Sequence, residues 1–170
     1  SGTWVLALPP NHIAGLQVVA RAAAGDRSVV VVEGKVTPRA LSDAIDEAVR
    51  RDPDGRVHLS LVPTQLTDCM DDSVARDALT RCSAILVGGA ATSSQLVSDA
   101  RAAGMPIVLT YGMSETCGGC VYDGVPLDGV QVRLDEDGRV SLSGPMVMSG
   151  YLDEGPADDW YLTGDIAHWQ

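Results

Sequence analysis

The sequence predicts an α/β layered domain with a mainly parallel sheet over residues 1–120, followed by a small antiparallel β unit. Three observations carry this prediction. Five short apolar runs alternate with stretches of helical periodicity, which is typical of parallel strands joined by right-handed crossovers. Several runs are apolar throughout, as expected of strands buried on both faces. After about Tyr122 the pattern changes to two alternating runs around a turn, which predicts a hairpin.

The first strand and the first helix are bounded by clear stop signals. Trp4–Leu8 is a continuous apolar run that ends at Pro9-Pro10, as expected of a buried strand. Asn11 is the expected N-cap of a helix over Ile13–Ala24, and Gly25 closes that helix. A strand followed directly by a helix begins the alternation.

Two more strands flank the second helix. Ser28–Glu33, rich in valine, predicts the second strand, and Val57–Val62 predicts the third. Between them, Thr37 and Pro38 form a helix start, a cap followed by a proline at the first helical position. Apolar residues then recur at helical spacing until Asp52-Pro53 ends the pattern.

The rest of the parallel unit repeats this order. One or two short helices are predicted between Thr67 and Arg81, and Ala84–Val87 is the fourth strand. A helix over Ser93–Ala103 follows, and Met105–Leu109 is the fifth strand. Because the carboxyl ends of parallel strands share one edge of the sheet, ligand-binding groups are expected at that edge.

The second unit is predicted from its hairpin. Val130–Leu134 alternates, Asp137-Gly138 is a turn, and Arg139–Leu142 alternates back. We therefore predict two parts, an α/β core over residues 1–121 and an antiparallel β subdomain over residues 122–170.

Composition and charge exclude some classes of partner. The formal net charge is -11 with 45% hydrophobic residues, and no basic block is present, so binding to nucleic acid or to an anionic membrane surface is not expected. No apolar run reaches the roughly 18 residues of a membrane span. The first residues lack a signal-peptide pattern, and the expected location is the cytoplasm.

Four cysteines are too few for a disulfide scaffold in a chain of 170 residues. Cys117-Gly-Gly-Cys120 has the spacing of a redox pair or half a zinc site. A zinc site needs a second pair, and Cys69 and Cys82 are too far apart in sequence to form one. Gly-Gly between the cysteines also disfavours the helix on which redox pairs normally lie.

The segment richest in side chains that can bind a ligand is Thr110–Thr116, with the sequence Thr-Tyr-Gly-Met-Ser-Glu-Thr. It follows the fifth strand and is predicted to be a polar loop. Tyr111 can lie against a base, Ser114 or Thr116 can donate to a phosphate oxygen, and Glu115 can hold Mg²⁺. These groups suit a nucleotide, although a polar turn after a core strand is an equally good reading of the spacing.

This segment and three others, in the same order, resemble the motifs of the acyl-adenylate-forming enzymes, which include acyl-CoA synthetases, peptide-synthetase adenylation domains and luciferases. The other three are Gly88-Gly89-Ala90, Ser143–Tyr151 and Tyr161–Asp165. The resemblance implies the core of the large domain of such an enzyme. It also implies that the segment with Cys117 and Cys120 is a loop shared by one subfamily of these enzymes rather than a metal site.

The resemblance assigns roles to individual residues. It implies nucleotide binding by Gly88, Gly89, Ala90, Tyr111, Gly112, Ser114 and Asp165, with the Asp165 carboxylate accepting from the ribose hydroxyls. Ser114 stands where the family usually has threonine. Glu115 matches the Mg²⁺ ligand.

The acid substrate is indicated by two further stretches. These stretches resemble the o-succinylbenzoate–CoA ligases of menaquinone biosynthesis. The first is Leu8–Gly15 together with Arg21, and the second is Ser60–Leu66. An aromatic dicarboxylate gives a pocket arginine a physical purpose. The acid-binding residues implied are His12, Arg21, Thr64, Gly88 and Thr110. An arginine flanked by alanines is also compatible with a solvated helix face, and a lone histidine with a structural role.

The resemblance implies an acid–thiol ligase that uses ATP and Mg²⁺, with CoA as co-substrate. The expected partners are small-molecule substrates. Whether the chain forms a homodimer is left open. The phosphate loop with its lysine and the small C-terminal domain with the adenylation lysine are not found in the sequence. We therefore expect an internal fragment that retains no catalytic residue and is inactive alone. Alternatives are a ligase for another aryl or fatty acid, a non-catalytic nucleotide-binding module, and a redox protein.

Overall fold

The structure, a computed structural model, describes residues 2–156 and 158–168. The strands are β1 (Gly2–Leu6), β2 (Ser28–Val31), β3 (Arg56–Leu61), β4 (Ala84–Val87), β5 (Ile107–Met113), β6 (Gly118–Tyr122), β7 (Val125–Pro126), β8 (Gln131–Leu134), β9 (Arg139–Ser143) and β10 (Tyr161–Ile166). The helices are α1 (Ile13–Ala24), α2 (Pro38–Arg51), α3 (Pro63–Met70), α4 (Ser73–Thr80) and α5 (Ser94–Ala102), and a 3-10 turn covers Ser114–Thr116.

Strands β1 to β7 form a mostly parallel sheet in the order β2-β1-β3-β4-β5-β6-β7, and β10-β9-β8 form a separate antiparallel sheet. The predicted α/β class, with its small antiparallel unit, is confirmed. The chain divides into two compact units, one ending at Thr110 and the other beginning at Tyr111. The boundary predicted between residues 121 and 122 falls inside β6, and that division stays a prediction.

In the first unit, alternate residues of each strand face opposite sides of the sheet. Val5, Leu59 and Ile85 lie on one side, where they pack with residues of α2 to α5 such as Ile45 and Leu79, all fully buried. Burying each such side chain contributes about 1.5–3 kcal/mol to the free energy of unfolding. This side therefore contains the main core.

Helix α1 covers the other side of that sheet. Trp4 and Leu6 of β1 pack there against Val18 and Ala22 of α1. Gly15 faces the chain that leads into the helix, because a Cβ built on it would lie 2.2 Å from the carbonyl oxygen of Pro9. The reversal from β1 into α1 thus requires glycine at this position.

Two predicted helix starts are wrong in detail. Asn11 does not cap α1: the N-cap is His12, and its side chain makes no capping hydrogen bond. The helices between β3 and β4 begin at Pro63 rather than Thr67, because proline fits the first helical position. The Thr37 cap is confirmed, since its hydroxyl accepts from the amide of Ala40 at 3.2 Å.

The second unit contains the predicted hairpin and three strands that were not predicted, β6, β7 and β10. Val132 of β8 pairs with Leu142 of β9, and the Asp135 carboxylate closes the turn by accepting from the Arg139 amide at 2.8 Å. Of the unpredicted strands, β10 pairs antiparallel with β9, and β6 pairs antiparallel with β7. Within the described part of the chain, no helix is long and apolar enough to cross a membrane.

Candidate functional site

The segment after the fifth apolar run is mostly strand rather than the predicted loop. Strand β5 continues to Met113, and only Ser114–Thr116 form a turn. The hydroxyl of Thr116 is buried, accepts from the Met113 amide at 2.9 Å and donates to the Gly118 carbonyl at 2.9 Å. Of the two hydroxyls considered for a phosphate, that of Thr116 therefore holds the turn, whereas Ser114 is exposed.

Tyr111 and Asp165, which are 54 residues apart, come into contact in the second unit. The phenol of Tyr111 donates to Oδ2 of Asp165 at 2.8 Å. Thr163 fixes this arrangement, because its buried hydroxyl donates to the Val140 carbonyl at 2.9 Å and accepts from the Asp165 amide at 3.1 Å. Two of the motifs noted in the sequence thus meet at one place.

Burial raises the pKa of Tyr111 to about 12, and its hydrogen bond to the Asp165 carboxylate acts in the same direction. The phenol is therefore neutral at physiological pH and stays a donor. A donor bonded to Oδ2 fixes the Asp165 carboxylate while leaving it able to accept further hydrogen bonds. That is the chemistry that a pair of ribose hydroxyls requires.

Glu115 lies in a second hydrogen-bond network of the same unit. Tyr151 donates to its Oε1 at 2.8 Å, and the hydroxyls of Tyr151 and Tyr161 are 3.3 Å apart. The Glu115 carbonyl accepts from the Met148 amide at 2.8 Å. No role for Tyr151 or Tyr161 was predicted from the sequence, although both lie inside stretches that carry the family resemblance.

The donor set around Glu115 fits Mg²⁺ bound together with a nucleotide. Among residues 2–156 and 158–168, no group of three or more His, Cys, Asp or Glu side chains could hold a metal ion by itself. Mg²⁺ characteristically takes one or two carboxylates, several waters and substrate phosphates. A single carboxylate with free lone pairs, such as that of Glu115, matches this preference.

In the first unit, the structure brings Gly88 and Thr110 together. A Cβ built on Gly88 would lie 2.2 Å from Oγ1 and 2.6 Å from the carbonyl oxygen of Thr110. Gly88 thus permits close approach of the neighbouring strand. Gly89 has φ +79°, which favours glycine, and it is exposed together with Ala90.

Gly112, in the second unit, is as crowded as Gly88, since a Cβ built on it would lie 2.0 Å from the carbonyl oxygen of Gly118.

The other predicted acid-binding residues lie on two helices of the first unit. His12 is exposed at the start of α1, and Thr64 is exposed in the first turn of α3. These two helices pack on opposite sides of the sheet. Arg21 is half-buried on α1, and its guanidinium carbon lies 5.9 Å from the ring centroid of Trp4. Arg21 is therefore not on a fully solvated face.

Trp4 and His58 form a stack that was not predicted from the sequence. Their ring centroids are 5.0 Å apart, and Trp4 is 5% exposed. Trp4 Nε1 and His58 Nδ1 are buried without a hydrogen-bond partner in the described part of the chain. Burial, together with the charge of Arg27, lowers the pKa of His58. A buried indole N–H without an acceptor, such as that of Trp4, is costly.

The cysteines of the second unit have different environments. Cys117 is exposed in a left-handed conformation with φ 54°, and Cys120 is buried in β6 against Val140 and Leu142. Burial raises the pKa of the Cys120 thiol. The buried environment of Cys120 therefore does not favour a thiolate at neutral pH.

The chain is similar in sequence to curated ligases. Over 170 residues the chain is 41% identical to a probable 2-succinylbenzoate–CoA ligase of Mycobacterium tuberculosis, an alignment with 97% of this chain and 44% of that protein. It is 28% identical to the 2-succinylbenzoate–CoA ligase of Bacillus licheniformis, with 38% of that protein covered. The chain thus spans less than half the length of these relatives.

Solved structures show the same fold. The o-succinylbenzoate CoA synthetase of Bacillus subtilis in complex with its acyl-adenylate intermediate superposes with a TM-score of 0.80 at 22% identity, over 96% of this chain and 38% of that one. The family model for the AMP-binding enzymes matches residues 1–152. Because this match extends over most of the sequence, the chain belongs to the AMP-binding enzyme family.

Proposed function

We propose that this chain forms the nucleotide- and acid-binding core of an o-succinylbenzoate–CoA ligase. The reaction has two steps. A substrate carboxylate attacks the α-phosphate of ATP, which gives an acyl-adenylate and pyrophosphate. The thiolate of CoA then attacks the acyl carbon and displaces AMP. The residues contribute mainly by positioning the reactants and stabilising charge.

The observation that carries the nucleotide half of this proposal is the hydrogen bond between Tyr111 and Asp165. In this proposal the Asp165 carboxylate accepts hydrogen bonds from the ribose hydroxyls, and Tyr111 keeps that carboxylate in place. In this proposal Gly112 and the exposed Ser114, at the end of β5, contact the phosphates. Gly88, Gly89 and Ala90 contribute backbone against which the adenine stacks.

Glu115 is the residue that would hold Mg²⁺. When bound, the ion would neutralise charge on the phosphates of ATP. The chain's own contribution is a carboxylate whose position is set by hydrogen bonds to its backbone carbonyl and to Oε1.

The acid half is supported by the surroundings of Arg21. Its guanidinium lies over Trp4, whose ring N–H lacks an acceptor among the described residues, and His58 stacks on the same ring. A substrate carboxylate beside Arg21 would supply acceptor oxygens in this region. A fatty acid offers no second carboxylate. His12, Thr64 and Thr110 complete the acid-binding set in this proposal.

The test is ATP–pyrophosphate exchange by the protein that contains this chain, with two acids. One is o-succinylbenzoate, and the other is 4-oxo-4-phenylbutanoate, which lacks the ring carboxylate. Hydrogen bonds to charged groups contribute about 1.5–3 kcal/mol. Arg21→Ala is therefore expected to lower the preference for o-succinylbenzoate, as the ratio of kcat/KM values, roughly 10- to 150-fold.

Arg39→Ala is the matched control, because Arg39 is exposed and forms its ion pair with Asp43, which is also exposed and lies one helical turn away. It should leave the ratio unchanged. Asp165→Ala should weaken AMP binding and lower exchange with both acids equally. An unchanged ratio in Arg21→Ala would contradict the dicarboxylate assignment and favour another aryl or fatty acid. AMP binding without exchange for any acid would favour a non-catalytic nucleotide-binding module.

A further inference from the structure

The Glu115 carboxylate is held by a chain of tyrosine hydroxyls. Tyr151 donates its proton to Oε1 of Glu115 at 2.8 Å, because a carboxylate is the stronger acceptor. The oxygen of Tyr151 is then free to accept from Tyr161, whose hydroxyl lies 3.3 Å away. The direction of donation is therefore Tyr161 to Tyr151 to Glu115.

Both ends of this chain are fixed by backbone structure. Tyr161 begins β10 and pairs with Leu142, a fully buried residue of β9. At the other end, the Met148 amide donates to the Glu115 carbonyl at 2.8 Å, which ties the segment before Tyr151 to the 3-10 turn. The three side chains therefore meet because of the backbone around them, although Tyr151 itself is 48% exposed.

We propose that Tyr151 is a positioning residue for the metal ligand, and that its hydroxyl holds the Glu115 carboxylate in the orientation that binds the cation of Mg–ATP. This inference rests on the proposed function, in which Glu115 is the metal ligand. Tyr151 bonds to one oxygen and leaves lone pairs on both for the cation. A flexible glutamate would otherwise lose side-chain entropy on binding the metal.

Nucleotide recognition then has two separable parts. The ribose acid, Asp165, is held by Tyr111 and Thr163, whereas the metal ligand Glu115 is held by Tyr151. Loss of the Tyr151 hydroxyl should therefore affect metal-dependent ATP binding and leave metal-free AMP binding intact. A residue that merely stabilised the fold would affect both.

The experiment compares Tyr151→Phe with wild type in the protein that contains this chain. Mn²⁺ serves as the probe, and its binding in the presence of ATP is measured by water-proton relaxation. AMP affinity is measured by calorimetry without metal. Groups that orient metal ligands typically change metal affinity 10- to 100-fold, and because Tyr151 is half exposed we expect about 10-fold weaker Mn²⁺ binding. AMP affinity should change less than about twofold.

Tyr122→Phe is the matched control. It removes a tyrosine hydroxyl of the same unit that donates to the Gly119 carbonyl at 3.2 Å. It should alter neither binding constant. Thermal midpoints of all variants identify any loss of folding, and Glu115→Gln, the reference for the metal ligand, should weaken Mn²⁺ binding at least as much as Tyr151→Phe.

The outcomes distinguish this inference from the proposed function. If Glu115→Gln weakens Mn²⁺ binding and Tyr151→Phe does not, the positioning role is overturned and the metal ligand stands. Equal loss of Mn²⁺ and AMP binding in Tyr151→Phe would also overturn it. If Glu115→Gln leaves Mn²⁺ binding unchanged, the metal assignment in the proposed function fails, and the role of Tyr151 fails with it.

Discussion

Tyr111 shows how a side chain identified from sequence acquires its chemistry from the fold. The sequence indicated a ring next to a polar segment, and a base was one group against which it could lie. In the structure its hydroxyl is the informative part, since it donates to the carboxylate of Asp165. The partner lies 54 residues away, so local sequence could not reveal the pair.

The environment of Tyr111 predicts how the free energy of unfolding depends on pH. The pKa of Tyr111 is raised to about 12 in the folded protein, mainly by burial, from about 10 in an unfolded chain. The fold therefore favours the neutral phenol. The resulting stabilisation is fully present below about pH 10 and is lost as pH rises towards 12.

Denaturant unfolding of wild type and Tyr111→Phe between pH 8 and pH 11 tests this. The difference in free energy of unfolding should be constant at the lower pH values and should fall above about pH 10. Other titrating groups are common to both proteins and cancel in the difference. A difference that grows with pH would mean that the fold favours the phenolate instead.

At the scale of elements, glycine at two positions is explained by neighbouring backbone. Gly88 lies against Thr110, and Gly112 lies against Gly118. Both glycines were predicted from the sequence to bind ligand. Close packing of strands is sufficient reason for glycine there, and a ligand contact is compatible with it.

Gly88→Ala is expected to destabilise the protein by about 1–3 kcal/mol, because the added methyl group would overlap the Thr110 carbonyl and force the end of β4 away from β5. Urea unfolding measures this loss. The matched control is Gly164→Ala, since nothing lies within 4 Å of a Cβ built on Gly164. Its effect should stay within about 0.5 kcal/mol. Equal effects of the two substitutions would contradict the packing argument.

Strands were predicted well where apolar residues formed runs, and poorly where polar residues occupied a strand. Strand β5 extends through Tyr111 and Gly112, and β10 contains Thr163 and Asp165. Gly112 and Asp165 are of types depleted in strands, although Tyr111 and Thr163 are not, and pairing with neighbouring strands overrides this low propensity. The residues concerned belong to the candidate site.

At the scale of the whole molecule, net charge is the main electrostatic feature. The formal charge of -11 predicts mutual repulsion that disfavours the compact state. The side-chain ion pairs described in the structure, Arg39–Asp43, Arg51–Glu47 and Arg81–Asp46, are all substantially exposed. Each such pair contributes about 0–1 kcal/mol to the free energy of unfolding, so screening these pairs with salt lowers stability only slightly.

Salt is therefore expected to stabilise the protein. Raising NaCl from about 10 mM to about 150 mM shortens the screening length from about 30 Å to about 8 Å and should raise the thermal midpoint by a few degrees. Sucrose at matched osmolality controls for effects unrelated to charge. A midpoint that falls with added salt would show that the ion pairs outweigh the net repulsion.

The sequence by itself determined the alternation of strands and helices, the Thr37 cap, the hairpin and the segments that contain the candidate site. These features depend on residues close together along the chain, through apolar periodicity, capping and turn geometry. They sufficed to predict the fold class and to identify the stretch around Tyr111.

Only the tertiary structure decided which side chains are partners. Tyr111 with Asp165, Tyr151 with Glu115, and Trp4 with His58 are pairs formed by strand register and by chain reversals. A hydrogen bond requires its atoms to lie within about 3 Å, whereas periodicity specifies only which face of an element is buried. Contacts between residues distant in sequence therefore had to be read from the packed chain.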